Sequence, residues 1–517
     1  MRALEPITNT RTDARGRLRH SLNNQANMAD ITDNTTKNIS PKSENAAAKR
    51  APRVVVVGGG LAGMAAAVAL ESRGLAVTLL EARRALGGRA SSFEDGETGA
   101  LLDNCQHVLL GCCTNLLDLY QRMGAGNHIR FERAVHFLDE RGMLHNLAGT
   151  SWLPAPLHLA PAMMGFRALS LRHRLAINRA MLAMLRLGKA GREQLENVAF
   201  GEWLQQHKQP QRVVQRFYDP VLVGALNEQT NDASAKYAIQ VFQDAMLANR
   251  DGYIVGLPAC PLEDLYKHIP CKDVRCSTRV AEVIFNAGLV QGVKLTDGSI
   301  ITADAVVLAA NHHAVQRWVP DEIKSRDPRF AGLAALESVP ILGVHLWFDR
   351  PVMKLSHAAL LEGPLQWLFR KDAVGSMLHG VISASRDWVD VPKPVAMEQF
   401  ERQVRELFPS ARDAKLLRGV IVIEKRATFS PKPGVDQLRP QQGPPPGGAA
   451  NLFLAGDYTR TGWPATMEGA VRSGYLAAEA LCESFNLAAH GRIVQPDLPV
   501  EWPARVLARR RINNLRS

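Results

Sequence analysis

Three glycines spaced as Gly58-x-Gly60-x-x-Gly63, an acid at Glu81 eighteen positions later, and the turn Gly87-Gly88-Arg89 are the residues of this chain best suited to chemistry on a dinucleotide. Each has a physical task. Gly58 permits a tight turn, Gly60 lets a pyrophosphate reach the backbone, and Gly63 lets a helix pack closely on a strand. Leu61 and Ala62 open that helix, whose unpaired N–H groups and positive dipole end favour phosphate. Glu81, with Ala82 beside it, is placed to accept hydrogen bonds from a ribose. Gly88 and Arg89 add a turn and a guanidinium that fits phosphate. The elements these residues need are present in order. Val54 to Val57 reads as a buried strand, Leu61 to Arg73 as a helix stopped by Gly74, and Ala76 to Glu81 as a second strand. With strand, helix, strand and acid in register, dinucleotide binding is favoured over a glycine-rich structural turn. Val54 to Leu70 is uncharged but short for a membrane span.

A second stretch repeats this logic near the other end. Asn451 to Ala455 reads as a strand delivering Gly456-Asp457, and Met467-Glu468-Gly469-Ala470 opens a helix running to about Cys482. Asp457 could hydrogen-bond a polyol chain, and the helix start near Met467 sets positive dipole against a group that becomes anionic on reduction. A nucleotide clasped by both chain ends is long, with its reactive ring far from its adenine. That favours FAD over NAD.

Composition narrows the partners. A chain of 517 residues, 46% hydrophobic and 22% charged, can bury more than one core. Of the net charge of +12, residues 1–50 carry +4 and residues 501–517 another +4, so the excess is concentrated at the ends. A basic end suits an anionic lipid surface as well as nucleic acid, and no aromatic-interleaved basic stripe supports a nucleic-acid role. Seven cysteines without CxxC spacing argue against a disulfide framework and fit a reducing cytosol. Cys105, His107, Cys112 and Cys113 lie close together, but adjacent cysteines are awkward joint zinc ligands, so core thiols are preferred and no metal is expected. The N-terminus lacks an apolar signal core, so export is not expected.

Taken in order, residues 1–50 read as a polar disordered extension, and Thr114 to Met123 as a helix. Leu169 to Lys189 interleaves basic and apolar residues at helical spacing. Two readings stay open: a helix lying on a membrane surface, and the slightly preferred substrate-domain helix with a solvated face. Residues 201–250 look helical. Residues 273–310 return to strands, with Val280 opening one and joining the cofactor-binding set. Residues 340–350 and 417–429 are β-rich, and 439–450 reads as a flexible loop or linker.

The glycine motif, Glu81, Gly87-Gly88-Arg89, Gly456-Asp457 and Glu468-Gly469-Ala470 together resemble the FAD-dependent amine oxidase and phytoene desaturase superfamily, over roughly residues 53–482. Finer stretches resemble one branch, the hydroxysqualene dehydroxylases of hopanoid biosynthesis: Asp103 to Gly111, Asp219 to Asn227, His345 to Pro351 and Glu424 to Phe429. The resemblance implies an α/β fold, a doubly wound FAD-binding Rossmann-like domain with an inserted α+β substrate domain. FAD-binding segments would fall at 53–135, 251–335 and 446–490, substrate-domain segments at 136–250 and 336–445. The 1–52 extension and a 491–517 basic tail would lie outside them. It further implies reductive removal of the allylic hydroxyl of hydroxysqualene, with hydride from flavin N5 and an unknown reductant recharging the flavin. A carotenoid desaturase or amine oxidase on the same fold is the alternative. Loss of the hydroxyl as water needs a proton donor. His107 and Asp219 are the candidates, against structural readings as a core histidine and a helix cap. Trp347, Trp367, Phe369 and Trp463 are candidates to line an apolar pocket for a long-chain isoprenoid. A cytoplasmic enzyme in peripheral contact with the membrane's inner face is the expected setting.

Overall fold

Four consecutive valines form the hub. In a computed structural model, which describes residues 50–487 and 491–509, β1 (Arg53–Val57) lies at the centre of a five-stranded parallel sheet. The expected 1–52 extension falls almost entirely outside the described residues. With β2 (Ala76–Leu80), β3 (Asp273–Arg275), β4 (Ala305–Leu308) and β5 (Leu452–Leu454), the order is β3-β2-β1-β4-β5. All four pairings are parallel, as in the doubly wound dinucleotide fold, which buries a sheet on both faces. Val54 to Val57 are accordingly at most 2% exposed.

The helix after β1, α1 (Leu61–Glu71), owes its position to small side chains. Ala65, Ala66, Ala67 and Ala69 are fully buried, and α1 packs along α6 (Met467–Ser484) near the far end of the chain. Gly474 of α6 makes this approach available. A Cβ there would stand 2.2 Å from the Ala62 carbonyl oxygen, closer than any side chain tolerates. Of the helices between, α2 (Thr114–Arg122) packs on α6, while α3 (Leu171–Glu193), α4 (Asp219–Leu226) and α5 (Ala235–Phe242) belong to a helical layer. Pieces of π-helix, Val214–Tyr218 and Gln243–Leu247, flank α4 and follow α5.

A seven-stranded sheet faces that layer, drawn from 134–148 and from 338–429. Its strands are antiparallel neighbours except His357–Leu360, which pairs in parallel with Ala134–Leu138. Asn227 locks helix to sheet. It ends α4 in the left-handed region at φ 53°, donates to the Val339 carbonyl and Thr428 hydroxyl, and accepts from Ala384 N–H.

Two expectations need correction. Residues 439–450 are not a flexible linker: Arg439 and Gln442 are buried at 2% and 5% exposure and hydrogen-bond into the loop that follows β5. Nor does the described part, 491–509, of the expected 491–517 basic tail lie outside the folded body. Asp497 pairs with Arg472, Glu501 accepts from Ala155 N–H and Arg250, and α7 (Trp502–Arg509) packs against α3 with Ala504 fully buried. Charged residues stay with the body here because each finds a buried or half-buried partner.

Candidate functional site

The glycine loop is held by its own acid. Glu81, 7% exposed, accepts from Gly59 N–H at 2.7 Å and from Arg83 N–H at 2.8 Å, so its carboxylate fixes the loop as well as facing the cavity beside it. Gly87 N–H donates to the Gly59 carbonyl, which lays the Gly87-Gly88-Arg89 turn over the loop. The three motif glycines separate by task. Gly58 lies at φ 113°, and a Cβ on Gly63 would stand 1.8 Å from the Gly58 carbonyl oxygen. A Cβ on Gly60 would meet nothing nearer than 3.9 Å. Gly60 therefore borders open space at the start of α1, where Leu61 and Ala62 present N–H groups without helical partners.

From this cradle a cavity of about 570 Å³ runs past Gly88, Arg89, Gly456, Asp457 and Met467 into the helical layer and the seven-stranded sheet. Its first part is lined by Gly58, Gly60, Leu61, Ala62, Glu81, Ala82, Thr278 and Val280, its far part by Phe137, Leu147, Val221, Val241, Trp367, Phe369 and Val381. Met467 opens α6 after Thr466, whose hydroxyl accepts from Gly469 N–H at 3.0 Å. The eighteen-residue α6 thus points its positive end at the cavity. Gly63 lies behind the wall, as its packing role requires.

Between the two parts, Arg89 donates to Asp457 at 2.6 Å and to the Ala427 carbonyl at 2.5 Å. Its guanidinium thus bridges the first glycine turn, the loop after β5 and the seven-stranded sheet, rather than lying free over the phosphate cradle. His107 lines the cavity, but its Nδ1 is 2.9 Å from the Cys105 carbonyl. The neutral ring donates there and presents Nε2 as an acceptor. Burial holds His107 below its usual pKa, so near neutral pH the ring is neutral and its one N–H proton is committed to the Cys105 carbonyl, which disfavours the expected role as proton donor. Asp219 is a clearer correction. It begins α4, but Val221, Gly224 and Ala225 supply that helix's cavity wall and Asp219 does not. Burial raises its pKa without bringing it to the site. Trp367, Phe369 and Trp463 line the cavity, whereas Trp347 lies off it under the Arg418 guanidinium at 5.2 Å. Cys105 is pushed up to about 12 by burial and stays a protonated thiol.

Arg439, Gln240 and Asp244 escaped the sequence reading, and Glu468 entered it only as part of the Glu468-Gly469-Ala470 motif, without a role of its own. Arg439 ties the loop after β5 to α5, and Glu468, fully buried, accepts from Asn115 and Leu116 N–H and from Arg472. Gln240 and Asp244 are polar residues in the cavity lining. Asp244 lies in a π-turn, a feature that no hydrophobic period announces, and Gln240 sits in an otherwise apolar helix face.

Residues 61–482 match the family model described as flavin containing amine oxidoreductase. The chain belongs to that family. The 15-cis-phytoene desaturase of Synechococcus elongatus is 26% identical over 83% of this chain and 95% of its own length. The zeta-carotene desaturase of a Synechocystis species is 27% identical over 83% and 97%. Among solved structures, putrescine oxidase bound to putrescine superposes with a TM-score of 0.63 at 16% identity, over 85% of this chain and 99% of that one. Cyclohexylamine oxidase from Brevibacterium oxydans gives 0.60 at 18%, over 84% and 100%. The α/β dinucleotide domain with an inserted substrate domain is the architecture of this family, and the protein is a flavin-dependent oxidoreductase. The residues present fit such a group: an open cradle at Gly60, free helix-start amides at Leu61 and near Met467, and carboxylates at Glu81 and Asp457.

The buried histidines carry a pH prediction. Desolvation lowers His158, His312, His345 and His357 each to about 4, against about 6.5 in an unfolded chain. The folded state binds fewer protons in that interval. The stability these neutral rings contribute is complete above about pH 6.5 and is lost as pH falls toward about 4. Thermal melts across that window should show a steadily falling Tm. A flat Tm there would contradict it.

Proposed function

We propose that this flavoenzyme acts on a long, apolar isoprenoid chain, with FAD held between the Gly58–Gly63 loop and the Gly456-Asp457 and Met467 end. The observation that carries the reading is the continuity of one cavity, from a dinucleotide cradle to a wing walled by Phe137, Leu147, Trp367, Phe369 and Val381. A hydrocarbon gains about 25 cal/mol for each Å² it withdraws from water in such a wing. The bound flavin supplies two-electron redox chemistry. The protein's part is to exclude water, align the chain against apolar walls, and hold Arg89 and Asp457 as a fixed charge pair beside the redox group. Nε2 of His107 offers an acceptor for a proton released from carbon, in keeping with desaturation of the phytoene type. The carotenoid desaturases among its relatives support that reaction. Reductive dehydroxylation of hydroxysqualene is the second reading, and the polar residues Gln240 and Asp244 in the cavity lining favour it.

Product analysis separates the two. Purified holoprotein incubated aerobically with phytoene, or anaerobically with reduced flavin and hydroxysqualene, should convert one of them, into a more unsaturated polyene or into squalene. Turnover of a primary amine with neither isoprenoid consumed would overturn the proposal.

The same substrate motivates a peripheral membrane contact. Among the described residues no helix is long and apolar enough to cross a membrane. Trp152 and Trp502 are 77% and 66% exposed on segments joined by the Ala155–Glu501 hydrogen bond, and Leu171 and Leu175 are exposed among Arg167, Arg172 and Arg179. An apolar rim with basic neighbours suits an anionic bilayer. At low salt the full chain should float with vesicles of anionic phospholipid, and Trp152→Ser/Trp502→Ser should float at least about threefold less. Wild type left at the bottom of the gradient would remove the idea.

A further inference from the structure

The strand Leu416–Phe429 carries an irregularity in its pairing beside the cavity. Val339 pairs with Thr428 and Ile341 with Glu424, so Pro340 alone stands opposite Lys425, Arg426 and Ala427. A proline has no N–H to give the ladder, and bulges of this kind re-aim the groups beside them. Here Lys425 and Arg426 are exposed, while the Ala427 carbonyl accepts from Arg89. Glu424 belongs to the cavity side. Residues directly opposite on neighbouring strands project from one face, and its partner Ile341 lines the cavity. So does Val381, the partner of Gly343 two residues further along.

Five carboxylates line the cavity, and four are engaged. Glu81 accepts from two backbone N–H groups, Asp457 pairs with Arg89, Asp244 with Arg192, and Glu468 with Arg472. Glu424 is half-buried and accepts from the N–H of Arg426 at 3.2 Å, and among the described residues no cation forms an ion pair with it. Its charge reaches Arg89, which Asp457 already matches. One guanidinium against two carboxylates leaves a surplus negative charge where the cofactor part of the cavity meets the apolar wing. Such a charge beside apolar walls costs free energy until a positive group meets it.

We propose that Glu424 is a catalytic residue whose carboxylate offsets positive charge developing on the substrate chain. The inference rests on the isoprenoid reading. In desaturation a C–H bond breaks and hydride leaves with its electron pair to the bound flavin, so the carbon left behind becomes an allylic cation. A neighbouring carbon then releases a proton to Nε2 of His107, and that C–H electron pair becomes the new double bond. The first break is the harder one, since it places a full charge on a hydrocarbon among walls such as Trp367 and Val381. A carboxylate already fixed there stabilises the cation without reorienting and does little for the neutral chain.

The test compares phytoene with a phytoene analogue bearing a tertiary ammonium nitrogen in place of one allylic carbon. Each is titrated into holoprotein while tryptophan fluorescence is followed. Wild type should bind the ammonium at least about tenfold more tightly than phytoene. Glu424→Gln, which keeps the shape, should reduce that preference to about threefold or less, with flavin absorbance, Tm and phytoene affinity as in wild type. Mixed anaerobically with phytoene, the same variant should reduce its flavin at least about 100-fold more slowly, and Glu424→Asp should recover part of that loss. Equal affinity for the two ligands in wild type, or a preference that survives in Glu424→Gln, would overturn the inference and leave the isoprenoid reading standing. So would loss of flavin from Glu424→Gln, which would make this carboxylate part of the cofactor's seat. Failure of both ligands to bind would overturn the isoprenoid reading and this inference with it.

Discussion

Gly60→Val should give a folded protein stripped of its yellow colour, while Gly63→Val should not accumulate as folded protein at all. The two positions sit three residues apart in one motif, so the contrast isolates cofactor space from packing space. Gly60 has φ −75° and ψ 178°, an extended backbone that valine adopts without strain, and its Cβ would enter open space. The isopropyl group would then occupy the volume through which a pyrophosphate reaches the N–H groups of Leu61 and Ala62. Losing two charge-assisted hydrogen bonds, each about 1.5–3 kcal/mol, weakens flavin binding by at least about 100-fold. At Gly63 the added carbon meets the Gly58 carbonyl oxygen at 1.8 Å and Ala309 Cβ at 3.2 Å, where nothing flexible can give way. Overpacking against side chains costs about 1–3 kcal/mol, and against backbone more, a large part of a typical total of about 5–15. The ratio of flavin to protein absorbance reports the first effect and circular dichroism the second. Full flavin content in purified Gly60→Val would remove the assignment of the cradle.

Arg439→Met is expected to cost about 3–5 kcal/mol, the range for removing one partner from a buried charge network. The guanidinium donates to the carbonyls of Asp457, Thr459 and Trp463 at 3.1, 2.5 and 2.8 Å, to the Tyr237 hydroxyl, and to Asp436 at 3.2 Å, over the face of Phe429 at 4.8 Å. A methionine fills the space and satisfies none of these acceptors. Because three of them lie in the loop carrying Asp457 and Trp463, flavin affinity should fall along with stability. Arg439→Lys should recover little, since one ammonium cannot span the fork. Urea unfolding read with flavin release checks both parts. A loss below about 1 kcal/mol with flavin retained would show that the loop holds itself.

The first half of the site was legible because its requirements are local. A strand, three glycines, a helix and an acid follow one another within about thirty residues, and each glycine's role can be read from its place in the turn. Gly456-Asp457 and Met467 were legible for the same reason. What Glu81 does to the loop was less so, since its bond to Gly59 N–H depends on how the turn folds back. Arg439 gave no signal: a proline- and glycine-rich neighbourhood reads as linker unless the buried carbonyls it serves are known. The end after residue 490 read as a basic tail because only its charge was visible in sequence; Ala155 and Arg250, the partners of Glu501, are about 250–350 residues away. Asp219 was misjudged from its sequence neighbours, because a helix start tells nothing of which turn faces a cavity. Gln240 and Asp244 become visible only once the fold shows which turn of the helical layer faces the cavity.

The central parallel sheet also sets the order in which this molecule can be made. Its middle strand begins at Arg53, yet the edge strand beside β4 and the helix that covers α1 are supplied roughly 400 residues later. On a ribosome working from the amino terminus, the alanine face of α1 emerges early and waits for almost the whole of translation before Gly474 arrives to cover it. Contacts so distant in sequence close slowly and expose sticky surface meanwhile. Premature termination anywhere before about residue 450 should therefore yield insoluble nascent chains rather than a smaller working nucleotide domain, and heterologous production should benefit from slow expression with added chaperones and riboflavin.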